Sequence, residues 1–161
     1  MPKAAADRAR LRERVVWVVG TLRKPPIIVV SGDQEMGRSV VTLLGGLAVV
    51  VLFSIGTDRV LHATGVFPPE GTRMSDALFA AATAYRTVYG VAGSYIAARF
   101  APSRPMGHAL ALGGVGLALA TAGAVATWNM DLGPHWYPLA LVAVSMPAAW
   151  AGGKLAAGRQ G

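Results

Sequence analysis

SVVTLLGGLAVVVLFSIGT, residues 39–57, decides the fold. It is a run of nineteen residues without one charged side chain. About 20 apolar residues in a helix cross the ~30 Å hydrocarbon layer of a bilayer. No soluble strand or surface helix needs such a run. Three more apolar runs follow. Residues 77–98 carry a single charge, Arg86; residues 107–128 carry no Asp, Glu, Lys or Arg; residues 138–153 carry none before Lys154. Pro68 and Pro69, then Pro102 and Pro105, separate the first three runs. Proline removes a backbone donor and bars a helix from running through the residue before it. The expected fold is therefore all-α, a polytopic membrane protein built as a four-transmembrane-helix bundle. Its spans are expected at about 39–60, 77–98, 107–128 and 138–154, within a domain covering 39–155.

Composition points the same way. Hydrophobic residues make up 53% of the 161-residue chain and charged residues 14%. Soluble domains carry roughly 25% charged residues. Mean hydropathy is +0.47. The net charge of +7 raises the question of nucleic acid, and its distribution answers it. Lys3, Arg8, Arg10, Arg12, Arg14, Arg23, Lys24 and Arg38 precede the first run, and all but one of the others sit at the ends of runs. That is the pattern of loop charges flanking membrane spans, not of a basic face that reads bases. No nucleic-acid partner is expected. The bilayer is the expected partner, with a second copy or another membrane protein as further options.

Counting bases orients the chain. One side holds the eight leader residues with Arg99, Arg104, Lys154 and Arg159; the other holds Arg59 and Arg73. Without residues 1–35 the bias is still five against two. Both termini are thus expected in the cytoplasm. Phe67, Trp128, Trp136 and Tyr137 would form an aromatic belt at the opposite surface. Residues 1–38 read as a basic cytoplasmic leader, with a short helix from Asp7 to Leu22, and two readings stand. The leader lies on the anionic membrane surface, or translation starts at Met36, directly before the first span. Residues 156–161 read as a cytoplasmic tail.

One feature inside the spans asks for a reason. Arg86 lies nine residues into its run, and an arginine near the bilayer centre costs at least ~2.5–3.5 kcal/mol. Asp58 is the nearest candidate partner. If the first helix continues to about Val66, the two residues lie at matching depths, ~12 and ~14 Å from the same boundary. The pair is either a register-fixing ion pair or a ligand site for a proton, an anion or a lipid head group. Tyr85, Tyr89, Thr57 and Ser54 are placed to give polar support.

The remaining chemistry is sparse. With no cysteine, disulfides and thiolate chemistry are excluded. His62 and His135 fall near the same surface as Glu70, Asp76 and Asp131, but without zinc-ligand spacing. No catalytic residue, cofactor or metal site is expected. Small residues recur at helical spacing, as in Gly116, Ala120 and Ala124, or Ala148, Ala149, Gly152 and Gly153. They are expected to let helices pack closely. Pro147 is expected to kink the last helix.

Three stretches carry a resemblance: GTDRVLHATGVFPP (56–69), AYRTVYGVAG (84–93), and TAGAVATWN (121–129) with GPHWYP (133–138). They resemble a group of small bacterial inner-membrane proteins over about residues 39–155. The resemblance implies a four-helix membrane fold and no activity. Members begin just before the first span, which agrees with a start at Met36. The expected role is a non-enzymatic accessory or scaffold membrane protein. The alternatives are a small homo-oligomeric transporter or channel using Asp58 and Arg86 and, last, a membrane-embedded lipid-modifying enzyme.

Overall fold

A computed structural model describes residues 32–69, 71–130 and 132–158. The leader helix expected at Asp7 to Leu22 and the last three residues of the tail lie outside them. The described residues form four helices and no strand: α1 (Gly32–Ala63), α2 (Asp76–Arg99), α3 (Pro105–Thr127) and α4 (Trp136–Ala157). Three of them, α1, α3 and α4, are long and apolar enough to cross a membrane. The second helix has the length, at 24 residues. It falls short in apolar character because it carries Arg86, three tyrosines and several hydroxyls.

Local chemistry explains the boundaries. Helix α1 starts seven residues before the apolar run. Glu35 falls in its first turn, where a carboxylate meets the positive end of the helix dipole. It ends at Ala63, sooner than a continuation to Val66, and not at Pro68. Gly65 takes the left-handed conformation (φ +73°), and its N–H bonds the His62 carbonyl at 3.2 Å. A left-handed glycine just past the last turn is the usual helix stop. Pro105 opens α3, its missing N–H costing nothing in a first turn. Helix α4 runs through Pro147 without a break.

The helices meet through small residues. Buried positions are mostly Ala and Gly, and among the described residues no large side chain is fully enclosed. A Cβ on Gly46 of α1 would stand 2.7 Å from the Gly93 carbonyl oxygen of α2. One on Gly152 of α4 would stand 2.7 Å from the Tyr95 nitrogen, and one on Gly153 2.9 Å from the Ala109 Cβ of α3. These contacts gather near the Arg99–Pro105 turn, with Ala97, Ala98, Ala109 and Ala156 at 0% exposure. Backbones touch there, which a leucine-filled core would prevent. Helix α2 packs against all three others, whereas α1 meets α3 only slightly and does not pack on α4. The most polar helix is thus the most enclosed, and apolar side chains of α1 (Val41, Leu44, Leu52, Phe53) are exposed.

Candidate functional site

The charge pair is built by α1 and α2. Arg86 Nη2 lies 2.5 Å from Asp58 Oδ2. The Tyr85 hydroxyl donates to the other carboxylate oxygen, Oδ1. Both oxygens of Asp58 therefore accept a hydrogen bond. Thr57, next to Asp58, and Tyr89, about one turn along α2 from Arg86, bond each other at 2.8 Å, so they satisfy themselves rather than the pair. Phe53 and Tyr85 flank the Tyr89 ring at 5.6 and 5.8 Å. Arg86 is left with spare donors. Its Nε is buried and has no hydrogen-bond partner among the described residues. A guanidinium has five N–H donors and no acceptor, so whatever satisfies the rest must supply acceptor oxygens.

The two residues meet although α1 and α2 are staggered. Asp58 is five residues, ~7.5 Å, from the end of α1, and Arg86 is ten residues, ~15 Å, into α2. The segment between the helices takes up the difference. The Phe67 N–H bonds back to the Leu61 carbonyl at 2.9 Å. The His62 Nδ1 lies 2.9 Å from the Pro68 carbonyl, and its ring meets Phe67 edge-on at 5.4 Å.

Beside the pair lies a cavity of about 580 Å³, within the range of small-molecule sites. Its sides are α1 and α3, and α2 and α4 form its back. Asp58 and Arg86 line it, with Ser54, Thr87, Ser145 and Tyr137. Two of these hydroxyls are already spent on their own helix: Thr87 donates to the Thr83 carbonyl at 2.7 Å and Ser145 to the Leu141 carbonyl at 2.7 Å. Such back-bonding satisfies a hydroxyl in apolar surroundings. Trp128 and His135 close the far end, rings 4.6 Å apart, and the Phe79 ring lies against Gly133.

The small-residue face of α3 divides. Gly113 packs tightly on Ala149 of α4, as close approach requires. Gly116, Ala120, Gly123 and Ala124 line the cavity instead, and a Cβ on Gly116 or Gly123 would meet nothing within 4 Å. The expectation that Gly116 lets helices pack closely is corrected, and Gly123 on the same face is equally free of contact: α1 and α3 diverge above their contact at Gly46 and Leu112. Sequence reasoning missed this wall. The available signal was spacing, since residues 116, 120, 123, 124 and 127 fall on one helical face.

The histidines do not converge. His135 Nε2 lies 3.1 Å from the Trp128 carbonyl, and His108 Nδ1 3.4 Å from the Arg104 carbonyl. No group of three or more His, Cys, Asp or Glu able to hold a metal occurs among the described residues; Glu70 and Asp131 lie outside them. Compared with known proteins, the chain matches no family model, no curated protein and no solved structure. The functional reading therefore rests on geometry.

Proposed function

We propose that this chain is a multipass protein of the bacterial inner membrane, a four-helix bundle with both termini in the cytoplasm. We infer that it performs no chemistry of its own and holds a small ligand in the cleft between α1 and α3. Three apolar helices support the membrane setting. Enclosing α2 among them removes the objection that it is too polar to span alone. The basic turn with Arg99 and Arg104, and Lys154 at the same end, support the orientation. Trp128, Trp136 and Tyr137 at the other end support an interfacial belt.

The observation that carries the ligand reading is a charge pair facing space. A pair serving only to fix helix register needs no cavity beside it. Here Asp58 and Arg86 line 580 Å³, and about a third of the Arg86 side chain (33%) stays exposed. A homo-oligomeric transporter or channel draws on the same cleft, as an extension of binding. The test is mass analysis of lipid-like molecules copurified with the protein. Wild type should carry a compound that the cleft-filling variant Gly116→Leu/Gly123→Leu lacks. If both carry the same compounds in the same amounts, the cleft is not a site.

A further inference from the structure

We propose that the cleft takes an uncharged acyl lipid, bound through a carbonyl oxygen on Arg86 and admitted sideways between α1 and α3. The inference rests on the ligand reading above and names the ligand's class. Four observations carry it.

The first is the doorway. Val51 and Ile55 of α1 and Leu119 of α3 line the cavity, yet are 41, 53 and 57% exposed. A residue that lines a cavity and still meets the surroundings stands at its rim. This rim is aliphatic, so it opens to hydrocarbon and not to water. The second is the wall. Gly116 and Gly123 leave room without being needed for packing, so a chain can lie along α3. Below, Gly46, Gly93 and Leu112 close the cleft in tight contact.

The third is the donor surplus. Each oxygen of Asp58 already accepts one hydrogen bond, while about a third of the Arg86 side chain is exposed (33%) and a guanidinium can only donate. A ligand group that meets Arg86 must accept. The fourth is charge. Asp58 and Arg86 already neutralise each other, so a carboxylate or phosphate would add an unpaired charge to an apolar cleft beside Asp58. Such burial is strongly unfavourable. A carbonyl accepts hydrogen bonds without that penalty. Ester lipids and long-chain ketones share this chemistry.

Three probes of one chain length separate the terms: methyl decanoate, decanoate and decane. Full-length protein in lipid nanodiscs is melted with each. A ligand bound only by the folded state raises the melting temperature in proportion to its affinity. Methyl decanoate should give a saturable rise in wild type, at least threefold larger than decane or decanoate gives. The rise should vanish in Gly116→Leu/Gly123→Leu and persist in Gly114→Leu, whose site faces outward, away from the cleft. If decanoate gives the larger rise, the inference falls and the ligand cleft stands. If decane equals methyl decanoate, Arg86 plays no part and the inference falls. If no probe acts and no compound copurifies, the ligand reading itself falls.

Discussion

Two glycine-to-alanine changes, at Gly46 and Gly116, should shift stability in opposite directions. Both lie inside helices, where alanine in place of glycine adds about 0.5–1 kcal/mol through lower chain entropy. Their surroundings differ. A Cβ on Gly46 would sit 2.7 Å from the Gly93 oxygen, 2.9 Å from Leu112 Cδ2 and 3.1 Å from Ala97 Cβ. The nearest obstacle is backbone, which cannot rotate aside. Overpacking of this kind costs about 1–3 kcal/mol, so Gly46→Ala should lose ~1–2 kcal/mol net. A Cβ on Gly116 meets nothing within 4 Å, so Gly116→Ala should gain ~0.5–1 kcal/mol. At ~2–4 °C per kcal/mol for a chain of this size, the melting temperature falls by about 2–8 °C in the first and rises by about 1–4 °C in the second. Thermal unfolding in mild detergent, followed by circular dichroism, reads both. If Gly116→Ala destabilises as much as Gly46→Ala, α3 is packed along that face and there is no cleft.

Three further outcomes follow from the same geometry. Asp58→Leu or Arg86→Met alone strands a charge. Breaking a fully buried pair costs ~3–5 kcal/mol; with 27 and 33% of these side chains exposed, ~1–3 kcal/mol is expected after solvent screening. The double variant should recover to within about 1 kcal/mol of wild type, and strictly additive losses would show that the residues do not interact. Tyr85→Phe removes a donor to Asp58 Oδ1 and should cost ~0.5–1.5 kcal/mol in wild type. In Asp58→Leu it should cost nothing, a contrast that a purely packing role for Tyr85 would not give. Because the chain has no cysteine, single cysteines report topology cleanly. An impermeant maleimide added to intact cells should label Thr72→Cys and leave Ser103→Cys unlabelled until the membrane is opened; the reverse pattern would invert the orientation.

Much of the helical frame was legible in sequence. Uninterrupted apolar runs and paired prolines mark helices and breaks, because a long apolar run has the length of a helix and proline removes the backbone donor that a helix needs. The end of α1 was less so: Gly65 ends it before the prolines can, and a glycine's left-handed turn is not visible in an apolar pattern. The depth match of Asp58 and Arg86 assumed level helix ends, whereas the ends are staggered and the loop at Phe67 compensates. Tyr85 could be named as support because it adjoins Arg86, but nothing in sequence separates its contact with Asp58 from the self-contained pair of Thr57 and Tyr89. The cleft was illegible for a related reason. Gly113 and Gly116 look alike in a list of small residues. Only the divergence of α1 from α3 makes one a contact and the other a wall.

The most direct measurement is the bound-compound content of the Asp58→Leu/Arg86→Met variant, taken by mass analysis of protein released from lipid nanodiscs. With both charges gone no charge is stranded, so the variant should fold at near wild-type stability. If the pair exists to face a ligand, this folded protein is empty and wild type is not. If it retains the same compound in the same amount, the charges only set the register of α1 on α2, and the cleft does not bind through them.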